Sequence, residues 1–182
     1  MVNPKQKGNE WERKSAKALS SRLTEGNSEY AIWRSNSSGG HSTILAKKEK
    51  ESGYASKQVG DLVSTGNEWE YVNQFFELFF VECKALKDFS LIPPVNKKEE
   101  DILSQVFREI EVSGGKSPIV ILKRNNKSVV IITTGDSGRL LYKYVSSKQS
   151  LIYVKEDVNF YVFPYDIFLD NIMGFLKSRN LL

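Results

Sequence analysis

At 182 residues and 20.7 kDa the chain has the length of one ordinary domain, and its 40% hydrophobic and 26% charged residues are those of a globular protein, which excludes collagen-like and disordered classes. One cysteine and one histidine exclude a disulfide framework, a cysteine-based zinc finger and any site that needs two histidines, and they suit a reducing, cytoplasmic setting. The formal net charge is +4, and all of the excess is N-terminal: residues 1–60 hold 11 Lys and Arg against 6 Asp and Glu.

The opening Met-Val-Asn-Pro-Lys-Gln-Lys-Gly has no apolar signal-peptide core, and no apolar run reaches the length of a membrane span, so a soluble chain without a membrane partner is expected. Residues 9–24 predict a helix, with Asn9 suited to its cap and Trp11, Ala16, Ala18, Leu19 and Leu23 at helical spacing. Residues 30–35 suit a short strand. The polar stretch from Asn36 to Lys57 lacks periodicity and reads as a long loop, a feature that in a small domain is usually functional. Strands are expected at 59–64 and at 77–86, the second with an apolar centre from Leu78 to Val81. Pro93-Pro94 closes that segment. A second amphipathic helix should run from about Lys97 to Val112, with Ile102, Leu103, Val106, Phe107 and Ile110 inward and Gly114-Gly115 as its stop. A hairpin turning at Asn125-Asn126 follows, then shorter strands near 139–145, 151–154 and 160–164 and a helix near 166–178. This order predicts an α/β fold: one mixed sheet with helices packed on it, in a single domain spanning residues 1–182.

The basic excess lies first in Lys5, Lys7, Arg13, Lys14, Lys17, Arg22 and Arg34, then in Lys47, Lys48, Lys50 and Lys57. Such a half suits a polyanion, because each cation that meets a phosphate releases condensed counterions; a solvated lysine-rich surface would show the same asymmetry.

Chemistry concentrates in one strand. Glu82 and Lys84 flank Cys83 in an otherwise apolar run, and the two-residue period of a strand sends Glu82 and Lys84 to one face and Val81, Cys83 and Ala85 to the other. Two charges beside Leu-Phe-Phe-Val are costly to bury without a task or a partner; a cross-strand ion pair is the simpler account. Asp61 follows Gly60, whose freedom permits a turn or bulge that aims the next carboxylate at a neighbouring strand, although Gly-Asp is also an ordinary turn pair. Glu12 shares the stripe Glu12, Ala16, Leu19, Leu23 and therefore points with the apolar side chains; its spacing from Asn9 is equally that of a capping box. Converging carboxylates, with the Cys83 carbonyl between Glu82 and Lys84, attract a hard divalent cation, and a lysine beside it helps activate water and offsets charge on a phosphate. Those parts serve metal-assisted phosphodiester hydrolysis.

The pattern Gly-Asp61-Leu-Val followed by Phe-Val-Glu82-Cys-Lys84 resembles the PD-(D/E)XK nuclease superfamily, whose restriction-endonuclease-like core has the same order of helix, three strands, helix and strand. Within it the chain is similar to Holliday-junction-resolvase-type nucleases, including those of phages. That likeness rests on Lys7-Gly8-Asn-Glu-Trp-Glu12-Arg13, on Trp33-Arg34-Ser35-Asn-Ser-Ser-Gly39-Gly40, on a helix containing Gln105 and on Ile-Val-Ile-Leu-Lys123. It covers residues 7 to about 134 and leaves 139–182 as an elaboration. The resemblance implies Asp61 and Glu82 as metal ligands for Mg²⁺, or Mn²⁺ in its place, with Glu12 and the Cys83 carbonyl in support and Lys84 as the catalytic lysine. It implies DNA contacts from Arg34 and Ser38 and places Gln105 near the site. Arg13, Lys14, Ser35, Gly39, His41, Lys47 and Lys48 complete the expected DNA-binding set, His41 through a phosphate contact or as a proton shuttle. The implied protein is a homodimeric endodeoxyribonuclease of branched or Holliday-junction DNA in a bacterial or phage-infected cell. Alternatives are a restriction-type or nonspecific nuclease and a DNA-binding module of the same fold without catalysis. Two departures stand out: Gly60 replaces the usual proline before the aspartate, and the stretch from Gly40 to Asp61 is longer than in compact archaeal resolvases. Cys83 is expected to be a core thiol, and Trp11, Trp33 and the Phe-rich 75–80 segment to be packing residues.

Overall fold

A computed structural model describes residues 4–35, 59–87, 89, 97–125, 127–145, 150–155 and 157–179. Helix α1 spans Pro4–Leu23, and two three-residue strands follow, β1 (Ile32–Arg34) and β2 (Leu62–Ser64). Helix α2 (Glu70–Leu78) runs directly into strand β3 (Phe79–Leu86). Helix α3 (Lys97–Val112), strands β4 (Ser117–Arg124) and β5 (Val130–Thr133) and helix α4 (Gly135–Val145) come next. Strands β6 (Leu151–Lys155) and β7 (Val158–Pro164) and helix α5 (Tyr165–Arg179) complete the fold. Among the described residues no helix is long and apolar enough to cross a membrane.

The seven strands form one open sheet in the order β1-β2-β3-β4-β5-β7-β6. It is mostly antiparallel; the exception is β3 against β4, parallel over eight residue pairs from Phe79–Ser117 to Leu86–Arg124, with α3 as the crossover. The mixed sheet with flanking helices is the expected architecture, that of restriction endonucleases. Both faces are covered. On one face Val81, Cys83, Ile119, Ile121 and Ile131 pack against Trp11, Ala16, Leu19 and Leu23 of α1, Phe75 of α2 and Phe168, Ile172 and Leu176 of α5. On the other, Val120, Leu122, Ile132, Phe160 and Val162 meet Leu103 and Val106 of α3. Strand β4 is apolar from Pro118 to Leu122 because its alternating side chains serve both cores.

Three expectations need correction. The first helix begins at Pro4, not at Asn9: a proline suits the first helical position, and the polar opening turns carry no apolar stripe to betray them. Residues 70–78 are helical, so the strand expected from 77 starts at Phe79; Val72 and Phe75, three apart, bury the helix against the core. Residues 139–145 belong to helix α4, where Gly138, Leu141 and Val145 form the buried face. The C-terminal strands extend the same sheet and the C-terminal helix packs on the larger core. Helices at 97–112 and near 166–178, the antiparallel β4–β5 pair and the two late strands stand where the periodicity puts them.

Candidate active site

Strand β2 is hydrogen-bonded alongside β3 at Leu62–Val81. One residue earlier, at Asp61, the backbone N–H donates to the Val81 carbonyl at 2.7 Å, and the carboxylate Oδ2 accepts from the Cys83 N–H at 2.9 Å. A side chain thus takes the place of a backbone partner and caps the edge of β3 just where Glu82 and Lys84 emerge. Gly60 makes this possible. Its φ of +93° lies outside proline's range, and a Cβ there would stand 2.7 Å from the Val81 carbonyl oxygen. This local geometry excludes the proline that the resemblance would place here.

Glu82 is only 4% exposed. It points to the α3 side of the sheet, as the strand period requires, and pairs with Lys84 Nζ at 2.9 Å. Lys84 Nζ also donates to Gln105 Oε1 at 3.1 Å, and Gln105 Nε2 donates to Glu109 Oε1 at 2.7 Å. Burial, then the charge of Glu82, pushes the Asp61 carboxyl up to about 7, against the opposing hydrogen bond from Cys83 and the charge of Lys84. Burial likewise lifts Glu82 to about 7; Lys84 opposes the rise and Glu109 reinforces it. For Lys84 burial acts downward, yet the charge and hydrogen bond of Glu82, with Asp61 behind them, leave the ammonium's pKa above its ordinary value. The geometry therefore holds one buried and one half-buried carboxyl, both of raised affinity for protons, against one protonated amine.

Glu12 lies well inside α1, so the capping-box account does not apply. Its Oε2 takes Arg34 Nε at 2.5 Å, while Arg34 Nη2 donates to Asn9 Oδ1 at 2.9 Å. Glu12 is still near enough to contribute to the upward push on Asp61. Among the described residues no three Cys, His, Asp or Glu side chains are arranged to hold a metal ion. Each acid has a partner instead: Asp61 Oδ2 accepts from Cys83, Glu82 pairs with Lys84 and Glu12 with Arg34. The donor chemistry nonetheless suits a hard divalent cation, since carboxyls whose pKa burial raises are groups that a cation would stabilise.

Of the other expected residues, Arg13 and Lys14 are exposed on α1, Ser35 is buried with its N–H donating to the Asp61 carbonyl at 2.8 Å, and Gln105 touches Lys84. Ser38, Gly39, His41, Lys47 and Lys48 lie outside the described residues. Cys83 is a core thiol whose pKa burial raises, next to Ser15. Trp11 is core as well, its Nε1 donating to the Ile121 carbonyl at 3.3 Å, and Trp33 is half-buried against Tyr30. Glu109 is the one residue of the constellation that the sequence reading missed. It stands four residues after Gln105 and on the stripe of Ile102 and Val106, so two polar residues on the inward side of α3 were its signal.

A family model described as "Phage putative PDDEXK endonuclease" matches residues 3–180. No match was found among curated proteins or among solved structures.

Proposed function

The chain belongs to the phage PDDEXK endonuclease family, and on that premise we propose that it is a metal-dependent endodeoxyribonuclease selective for branched, Holliday-junction-like DNA in recombination or phage DNA processing. The observation that carries the chemistry is the Asp61 carboxylate fastened to β3 at Cys83, with Glu82 buried beside Lys84. Asp61 and Glu82 would hold a divalent cation such as Mg²⁺, with Glu12 and the Cys83 carbonyl in support. A cation so held supplies Lewis-acid activation of water and phosphate. Lys84 keeps a positive charge at the site, where it orients the attacking water and offsets the charge that develops on the phosphate oxygens. Asp61 and Glu82, fixed to one strand, set the position of the scissile phosphate relative to that amine.

Branched-DNA selectivity draws its support from the resolvase-like segments around Glu12 and Arg34, now joined by an ion pair. Exposed Arg13 and Lys14 supply positive charge on the adjoining helix surface for the DNA backbone. A homodimer belongs to the same reading, because two sites related by a two-fold axis can cut opposed strands. Phe75, Phe79 and Phe80 are internal and α5 buries its apolar side, so neither the aromatic segment nor that helix face is available for a dimer. The outer strand β6 exposes Leu151, Ile152 and Val154 at 49%, 52% and 59%, which suits a second copy better.

The test is a cleavage panel of a four-way junction, a linear duplex and a single strand, each with Mg²⁺. The parent should prefer the junction, and Asp61→Ala, Glu82→Ala and Lys84→Ala should each lose at least about a thousandfold in rate while still binding DNA. Equal cleavage of all three substrates would favour a nonspecific nuclease, and parent-like cutting by Lys84→Ala would overturn the mechanism.

A further inference from the structure

The catalytic lysine reaches into α3. Its Nζ donates to Gln105 Oε1, and the amide's other end is taken by Glu109 Oε1 at 2.7 Å. An amide is asymmetric: with its nitrogen held, its oxygen must face the opposite way, toward Lys84. Without that hold a 180° rotation would turn the Gln105 –NH₂ toward the ammonium, donor against donor. Gln105 and Glu109 are one helical turn apart, the spacing at which side chains meet on one helix face.

The second oxygen of Glu109, Oε2, is buried and has no hydrogen-bond donor among the described residues, and the carboxylate stands close enough to Glu82 to push that carboxyl's pKa up. A carboxylate so placed carries a desolvation cost that an exposed residue on α3 would not incur, and a helix needing only stability would have an apolar side chain there. Arg124, Lys116 and Lys123 lie nearby in the chain, but their recorded partners are the Phe89 carbonyl, the Phe76 carbonyl and the Trp11 ring. Glu109 instead sits against the Glu82–Lys84 pair, touching it through Gln105 and through its own charge.

We propose that Glu109 is a positioning residue: by accepting from Gln105 Nε2 it fixes the amide orientation that holds Lys84 beside Glu82. The assignment rests on Lys84 being the catalytic amine of the proposed nuclease. It gives α3 a task beyond closing the second core, and it makes Gln105 a link to the catalytic lysine.

The experiment is single-turnover cleavage of junction DNA with saturating Mg²⁺ and enzyme, comparing the parent with K84A, Q105A, E109M, E109A, E109Q and the Q105A/E109M pair. E109M keeps the length and packing of the side chain without the acceptor, so it reports even where E109A folds poorly; thermal unfolding establishes which variants are folded. E109M should slow the chemical step about tenfold, the scale of a lost orienting partner, with DNA affinity unmoved. E109Q, which still offers an oxygen to Gln105, should recover the rate to within about threefold of the parent, and the pair should be no slower than Q105A alone. A dead K84A beside a parent-like E109M would overturn the positioning role and leave the nuclease standing. So would losses that multiply in the pair, or an E109Q as slow as E109M. A parent that cleaves no DNA, or a K84A at parent rate, would instead bring down the nuclease reading itself, and this assignment with it.

Discussion

The two faces of β3 show what one strand can be made to do. Toward α1, α2 and α5 it presents Val81 and Cys83 to a closed apolar core in which Phe75, Phe79 and Phe168 pack ring against ring. Toward α3 it presents Glu82 and Lys84, and the helix answers with Gln105 and Glu109. The residues alternate along a single backbone, so the position of the charges is inherited from the rigidity of the apolar side. Burial stabilises one face and raises the energy of the other, which is the expected division between a scaffold and the reactive groups it holds.

The comparison breaks most severely on the apolar face. Phe75→Ala removes a fully buried ring that touches Phe76, Phe79 and Phe168, and it should lower unfolding free energy by about 3–5 kcal/mol, read from a urea titration. An effect below about 1 kcal/mol would mean that this core is not what holds β3.

The charged face should respond in the opposite sense. The Asp61 carboxyl has its pKa raised to about 7 from an ordinary 3.8, so its contribution to stability is complete below about pH 4 and is lost as the pH rises through 7. Asp61→Asn keeps an oxygen for the Cys83 N–H and has no charge to bury. In metal-free buffer it should match the parent near pH 4 and exceed it above pH 7, by on the order of 2–4 kcal/mol. Thermal unfolding across that range checks it, and a variant less stable than the parent at pH 8 would contradict the assigned cause. Added Mg²⁺ should narrow the gap by stabilising the parent alone.

A smaller change sharpens the junction between the faces. Gly60→Ala places a Cβ against the Val81 carbonyl at a positive φ and should destabilise the fold by about 1–3 kcal/mol. Because it shifts Asp61 off β3, it should reduce cleavage by more than its stability loss explains. Cleavage measured well below the melting temperature separates the two effects.

Much of this arrangement was legible in the sequence, and for a physical reason. Glu82 and Lys84 stand out because charges inside an apolar strand are expensive, and α3 was readable to the residue because its apolar stripe is regular and two glycines stop it, at φ of +73° and +87°. Helix α2 was hidden because it passes into β3 with no breaker between Leu78 and Phe79, and its aromatic residues suit a strand as well. Helix α4 was misread because Tyr142, Tyr144 and Val145 favour strands and two glycines weaken its first turn. Its helicity comes from packing, including a close fit of Gly138 on Thr133 that a larger residue would spoil. Glu109 escaped notice because its place on the inward stripe gains meaning only from its partners, Gln105 and, through it, Lys84.

The central claim is that Asp61 and Glu82 form a cation site beside Lys84. Its most direct test is a crystal of the protein grown with Mn²⁺ and measured for anomalous scattering. A peak in contact with both carboxylates, with the Lys84 ammonium alongside, is the predicted result; a peak held by other residues, with Asp61 and Glu82 still bound to Cys83 and Lys84 alone, would contradict it.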